Sequence, residues 1–300
     1  MAEKPSIGAV FPGYDIGTDA LAIRDFAQAA EDLGFERIVA YDHVLSFQQS
    51  GRADEVEAGF YDETVEFHEP LTLFAHLAAV TERISFLSGI LILPQRQTAL
   101  VAKQAAEVAI LSGSRLELGV GLGSTPVEFD AMGVPRGRRG ARLDEQIALL
   151  RELWTQPLVD FDGKFHRVDR GAMRPSPAAP VPILIGGGSE AAFERAVRIG
   201  DGFVLMASLP PFRAGAARLI ELLEAAGRPR EDFAIHTMID FGLGPEAIAT
   251  ELEAWTALGV DSISVRASDR DSRIFGAPRL GYTSPAQYIE ALAAFAEIAA

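Results

Sequence analysis

Eight times along this 300-residue chain a short apolar run is followed by a longer stretch with helical spacing, and that alternation restricts the fold more than any other feature. The strand-like runs are residues 7–11, 37–41, 84–93, 115–120, 182–185, 202–206, 234–239 and 262–265. Most are continuously apolar, the pattern of strands buried on both faces of a parallel sheet. The helical stretches carry apolar stripes. Leu143, Ile147, Leu150 and Trp154 fall at i, i+4, i+7 and i+11, and Ile248, Leu252 and Trp255 repeat the pattern. Ser284-Pro285-Ala286-Gln287 reads as a helix start, with a capping serine, a first-turn proline and a glutamine three residues on. Gly34 and Gly200 stand where helices should stop, each just before a strand. Eight such units without a low-complexity linker predict one (β/α)8 TIM barrel over residues 1–300, with insertions after strands. A doubly wound open sheet is the structural alternative.

Charge and composition narrow the partners. With 27 basic and 42 acidic residues the formal charge is −15, which disfavours a phosphate backbone as ligand, so no nucleic-acid partner is expected. The chain has no cysteine; this excludes disulfides, thiolate zinc sites and a cysteine nucleophile, and it fits a cytoplasmic protein. The first residues lack the order of a signal peptide, and the longest apolar runs, such as Ile90 to Leu93, are too short to cross a bilayer. His68, His76, His166 and His236 show no metal-ligand spacing, so no metal is expected.

Barrels keep their chemistry on the loops after the strands. Asp42 and His43 follow the second strand: a histidine can exchange a proton near neutral pH, and a carboxylate there could accept hydrogen bonds from a coenzyme ring, unless the pair is only a loop cap and a surface residue. Gly119-Val-Gly-Leu-Gly-Ser124 ends the fourth strand, where missing Cβ atoms would let a flat ring or a phosphate approach the backbone. It is no dinucleotide fingerprint, because Thr125-Pro126-Val127 follows and no strand ends near position 144. Gly186-Gly187-Gly188-Ser189 precedes a helix, and its N–H groups suit a phosphate as well as a plain turn with a serine cap. Arg136, Arg138, Arg139 and Arg142 could meet an anionic coenzyme tail or form solvated pairs with residues such as Glu145. Residues 44–70, with Phe47, Phe60, Tyr61 and Phe67, are expected to wall the substrate pocket. Residues 158–182 carry Asp162-Gly163 between Val159-Asp160-Phe161 and Lys164-Phe165-His166, which predicts a small hairpin.

One set of motifs, in order, resembles a known family. Glu69-Pro-Leu-Thr72, Ala79-Val-Thr-Glu-Arg-Ile84, Ser88-Gly-Ile-Leu-Ile-Leu-Pro94, Ala102-Lys-Gln104 and Leu111-Ser-Gly-Ser-Arg115 begin it. Gly119-Val-Gly-Leu-Gly123, Glu128-Phe129, Arg142-Leu-Asp-Glu145, Leu153-Trp154, Pro182-Ile-Leu-Ile-Gly-Gly187 and Gly200-Asp-Gly202 complete it. The chain resembles the luciferase-like flavin and deazaflavin oxidoreductases, above all those that use coenzyme F420, over nearly everything up to residue 206 and more weakly beyond. The resemblance implies a barrel, a homodimer, and hydride transfer between F420 and a small organic substrate. It implies His43 as acid/base and Asp42 as a coenzyme contact. Gly89-Ile90 matches the place where relatives carry a non-proline cis peptide behind the ring, and Ser88 beside it is expected among the coenzyme-binding residues. Gly121, Leu122, Gly123 and Ser124 match the loop along the ring and ribityl chain, and Gly186, Gly187 and Gly188 a phosphate site. Related sugar-phosphate dehydrogenases carry a glutamate where this chain has Ser124, and Glu128 is four positions too far on to replace it, which counts against a sugar phosphate. Two rival readings are an FMN-dependent monooxygenase and a barrel that binds a coenzyme without turning anything over.

Overall fold

The computed structural model describes residues 4–48, 62–207, 209–269 and 276–300. Among the described residues there are ten strands: β1 (Ser6–Val10), β2 (Arg37–Ala40), β3 (Ser85–Ser88), β4 (Leu116–Val120), β5 (Val159–Asp162), β6 (Arg167–Gly171), β7 (Ile183–Gly186), β8 (Gly202–Val204), β9 (Ala234–Asp240) and β10 (Ser262–Arg266). All but β5 and β6 are hydrogen-bonded in parallel in the order β1-β10-β9-β8-β7-β4-β3-β2, and the ring closes. The sheet is therefore a barrel, and the open alternative is excluded.

Around it stand α1 (Ala20–Asp32), α2 (Pro70–Ala78), α3 (Thr98–Leu111), α4 (Pro126–Ala131), α5 (Arg139–Thr155), α6 (Glu190–Ile199), α7 (Pro210–Ala225), α8 (Pro245–Ala257) and α9 (Pro285–Ala299). The stripe Leu143, Ile147, Leu150 and Trp154 is buried on α5. The Ser284 capping box opens α9 as the spacing requires. No helix among the described residues is long and apolar enough to cross a membrane.

Two apolar cores are separated by the sheet. The larger joins the outward strand residues, such as Ile38, Phe86, Leu118, Ile185 and Ile263, to the helices. The smaller fills the barrel: Val10, Val39, Leu87, Leu184, Val204 and Met238. The period of two along each strand then fixes what lies below and above that plug. Below it are Arg37, Glu117 and His236, with Arg37 Nη1 2.7 Å from His236 Nδ1. Burial, with Arg37 beside it, holds the His236 imidazole well below the usual histidine range, so it is neutral. Above the plug, towards the strand exits, the inward positions are Tyr41, Gly89, Gly121, Gly186, Met206, Asp240 and Arg266.

Two expected elements differ in extent. The run 84–93 is strand only to Ser88; beyond it Leu91 re-enters the sheet through Leu91 N–H to Gly119 O (2.7 Å) and Gly121 N–H to Leu91 O (3.0 Å). Its second half is apolar because Leu91 and Leu93 are buried in the barrel rim, a role hydropathy cannot tell from a strand. The hairpin forms, but its return strand starts at Arg167 and not at Lys164. The reason is Glu145 of α5. Its carboxylate accepts the N–H groups of Lys164 (2.7 Å), Phe165 (2.8 Å) and His166 (2.8 Å), which wraps the turn around it. A Cβ on Gly163 would lie 2.5 Å from the Glu145 carboxyl carbon, so glycine is required there for close approach. Glu145→Ala is expected to lower the unfolding free energy by about 2 kcal/mol, since three N–H donors lose a charged acceptor; urea denaturation of the variant measures it.

Candidate active site

Four neighbouring strand exits and the helix after one of them enclose a cavity of about 340 Å³. β2 supplies Tyr41, Asp42 and His43; the segment after β3 supplies Gly89, Ile90 and Ile92; β4 supplies Gly121 to Ser124; β7 and α6 supply Gly186, Gly187, Ser189, Ala192 and Arg195. Tyr14, Leu143, Ile185 and Met206 complete the lining. Ten of the twelve site residues expected from sequence are thus brought together: Asp42, His43, Gly89, Ile90, Gly121, Leu122, Gly123, Ser124, Gly186 and Gly187.

The other two are not in the lining. Ser88 is fully buried behind the wall, its hydroxyl donating to Gly119 O at 2.8 Å, so it ties β3 to β4. Gly188 is exposed, one residue outside the cavity.

The glycines do something more specific than was expected of them. The Gly89–Ile90 peptide bond is cis, as the resemblance implies. A Cβ on Gly121 would lie 2.5 Å from Ile90 Cδ1, and one on Gly186 2.5 Å from Ile90 Cγ2. A Cβ on Gly123, whose φ is +67°, would lie 2.4 Å from Ile92 Cγ2. The space these glycines vacate is therefore filled first by Ile90 and Ile92. The isoleucine side chains, seated across β4 and β7, form the apolar floor that any ligand meets.

Asp42 lines the cavity and is also anchored. Its carboxylate is bound from behind by Ile92 N–H (2.8 Å) and by Arg96, whose Nη2 lies 2.5 Å from Oδ1. Arg96 also donates to Glu69 at 2.9 Å. These bonds pin the segment carrying Ile90.

His43 is held by a residue that sequence reasoning set aside. Glu128 of α4 is fully buried, with Oε2 3.0 Å from His43 Nδ1, while Oε1 accepts Val44 N–H at 2.9 Å and Leu45 N–H at 3.5 Å. Burial alone would raise its pKa, but the hydrogen bond and charge of His43 with the two N–H groups hold the carboxyl below the usual 4.5. An ionised Glu128 makes Nδ1–H the donor, and the histidine so held lines the cavity. Glu128 does not take the place of a pocket-facing glutamate; it orients the histidine from behind. Its signal in sequence was the Glu128-Phe129 pair at the start of a short helix.

Of the stretch 44–70, residues 49–61 lie outside the described residues. Phe67 packs on His43 (centroids 4.7 Å apart) and edge-on to Tyr14 (5.2 Å) but does not line the cavity; Phe60 and Tyr61 lie outside the described residues.

At the opposite side the N-terminus of α6 opens on the cavity. Gly187 has φ +141°, which a side chain rarely adopts, and Ser189 caps the helix through Ala192 N–H. Arg195, missed from sequence, lies on the same helix six residues past Ser189, with Nε bonded to Asp144 at 2.5 Å. Of the basic cluster, Arg136 donates to Ser124 O (3.2 Å) and Arg142 to Pro135 O (2.8 Å); Arg138 lies over Phe165 and Arg139 over Phe129. These four stiffen the loop after β4, and the guanidinium in the cavity wall is that of Arg195. Among the described residues no group of three or more His, Cys, Asp or Glu is gathered to hold a metal ion.

Two substitutions test the site as built. Gly186→Ala drives a Cβ into Ile90 and should lose about 1–3 kcal/mol in thermal or urea unfolding, whereas Gly188→Ala, which meets nothing within 4 Å, should lose none. Because the Glu128 carboxyl is lowered in the folded state, its stabilisation is complete above pH 4.5 and is lost as the pH falls through the lower folded value. Glu128→Gln should therefore be less stable than the parent by about 1–2 kcal/mol near neutral pH, with the gap closing in acid. Urea midpoints across pH read it out.

Known proteins bear on this geometry in three ways. A Mycobacterium tuberculosis protein described as uncharacterized is 37% identical over 226 residues, 74% of this chain and 77% of its own. The F420-dependent glucose-6-phosphate dehydrogenase of Nakamurella multipartita is 29% identical over 253 residues, 79% of this chain and 69% of its own. In fold, the crystal structure of the monooxygenase RslO1 from Streptomyces bottropensis superposes with a TM-score of 0.78 at 19% identity, covering 97% of this chain and 98% of that one. The model of the luciferase-like monooxygenase family matches residues 9–297, nearly the whole barrel, and the chain belongs to that family.

Proposed function

We propose that the chain is an oxidoreductase that moves a hydride between the deazaflavin coenzyme F420 and a small organic substrate. The observation that carries this reading is the layout of one cavity. An apolar floor at Ile90 separates a histidine–glutamate pair on the β2 side from a helix N-terminus with an arginine on the β7 side. Such a layout suits a flat heterocycle with a phosphorylated tail, and the F420-dependent relative supports the choice of coenzyme.

The residues present fit that coenzyme. Gly89, Ile90 and Leu122 would carry its ring, and Gly187, Ser189 and Arg195 its phosphate, where first-turn N–H groups and the helix dipole favour an anion. When bound, the deazaflavin supplies a ring carbon, C5, that exchanges a hydride and does not activate oxygen. The protein's share is positioning and proton handling. The fixed Ile90 sets the face against which the ring rests. His43 Nε2 takes or returns the proton that accompanies the hydride, with Nδ1 held by Glu128. The homodimer and the cytoplasmic location expected from sequence belong to this same reading.

FMN is the rival coenzyme for the same floor. Fluorescence titration of the purified protein with each should show tight binding of F420; tight FMN binding without F420 binding would overturn the proposal. His43→Ala should bind F420 as the parent does and lose turnover by about 10²- to 10⁴-fold. A parent protein that binds F420 yet turns over no alcohol, aldehyde, ketone or enone would be a coenzyme-binding barrel instead.

A further inference from the structure

One basic cluster at the cavity rim lacks an ion-pair partner among the described residues. In a protein of formal charge −15, Arg136, Arg138, Arg139 and Arg142 follow one another on the loop after β4 and the first turn of α5. Their hydrogen bonds go to backbone carbonyls: Arg136 to Ser124 O at 3.2 Å, Arg139 to Arg136 O at 3.4 Å and Arg142 to Pro135 O at 2.8 Å. Arg138 and Arg142 lie over Phe165. These contacts use a few N–H groups and leave the charges uncompensated. The two carboxylates that follow on α5 are spent elsewhere, Asp144 on Arg195 and Arg198, and Glu145 on the hairpin.

The cluster stands where positive charge is least favourable. α5 starts at Arg139, with Arg138 in the N-cap position at φ +63°; no side chain caps the first turn and no acidic residue lies in it. A helix N-terminus is the positive end of the dipole, where acids and short polar caps are favoured and arginines are not. Arg139 Nε is buried without a hydrogen-bond partner. Burial, and after it the charge of Arg136, lowers the pKa of the Arg139 guanidinium. Like charges and a strained cap held together in this way suit an anion from outside. The turn also adjoins the cavity. Ser124, which Arg136 holds, and Leu143 of α5 both line it, and a Cβ on Gly140 would lie 2.8 Å from Nη2 of Arg195. The start of α5 therefore continues the positive wall that Arg195 begins.

We propose that Arg136, Arg139 and the first turn of α5 form a second anion subsite, which takes carboxylates of the coenzyme tail beyond its phosphate. This rests on the F420 reading above. The deazaflavin coenzyme continues past its phosphate as an oligoglutamyl chain with a free carboxylate on each residue, whereas FMN ends at the phosphate. A guanidinium can donate two parallel N–H groups to one carboxylate. Arg136 is exposed, so each contact is modest and screened by salt, and the effect comes from several acting together. The subsite selects a coenzyme by its tail, away from the ring and from His43.

Fluorescence titration judges this with two forms of F420 that share ring and phosphate, one bearing the oligoglutamyl chain and one without it. The parent should bind the glutamylated form about fivefold tighter at low salt. The preference should shrink at about 0.15 M salt, where the Debye length is about 8 Å. Arg136→Ala combined with Arg139→Ala should abolish it and leave the Kd of the chain-free form within about twofold. Arg136→Lys combined with Arg139→Lys, which keeps the charge, should retain most of it. Equal affinity of the parent for the two forms, or an equal loss of both in the alanine variant, overturns the subsite while leaving hydride transfer standing. If neither form binds the parent, the hydride-transfer reading falls, and a fluorescently labelled oligo-γ-glutamate peptide decides the subsite alone. Anisotropy that rises with the parent and not with the alanine variant upholds a carboxylate subsite. No rise with the parent, or the same rise with both, overturns it.

Discussion

The seating of Ile90 in the space left by Gly121 and Gly186 is the contact on which the rest of the site depends. Close packing at 2.5 Å from two absent Cβ positions leaves no freedom for the isoleucine, because protein interiors accommodate added methyl groups only by moving backbone. β4 and β7 are adjacent in the barrel, so one side chain from the β3 exit bridges both. The cavity floor is thereby tied to three strands at once, and its height is a property of the barrel instead of a loop. The bond from Asp42 to Ile92 N–H and Arg96 fixes the same segment from the β2 side.

Polar groups in the upper barrel follow one plan. Each buried carboxylate near the cavity is committed to a protein partner: Asp42 to Arg96, Glu128 to His43, Asp240 to Arg266. The Glu128 carboxylate holds His43 Nδ1, and the Asp240 carboxylate holds Arg266, whose Nη1 donates to the Tyr41 oxygen. An unpaired charge at these depths would be costly, and a paired one is oriented as a consequence of its pairing. The side of the cavity at α6 differs, since there the polar groups are backbone N–H and one guanidinium, suited to an anion brought from outside.

Much of this was legible in the sequence. All eight barrel strands lie within a few residues of the apolar runs, because outward-facing positions such as Ile38, Phe86, Ile185 and Ile263 must be apolar to pack on helices. The inward positions hid a second pattern. Arg37, Val39 and Tyr41 on β2, or Ser264 and Arg266 on β10, alternate with apolar neighbours, but the barrel interior admits charge, glycine and valine alike, so no hydropathy rule marks them. Arg195 left a faint trace only in its helical spacing after the glycine turn, and Glu128 none that spoke of His43.

What the chain determined on its own was the closed α/β barrel, the glycine-marked exits of β4 and β7, and the histidine after β2. These are local matters: residue type and spacing dictate where backbone can pair, turn or lie bare. The tertiary structure alone decided that the glycines house Ile90, that Asp42 faces Arg96, and that Glu128 and Arg266 stand behind His43 and Tyr41. Those partners lie 54, 85 and 225 positions apart in the cases of Asp42 with Arg96, His43 with Glu128, and Tyr41 with Arg266. Pairing between strands, not local spacing, brings such distant positions within hydrogen-bond reach.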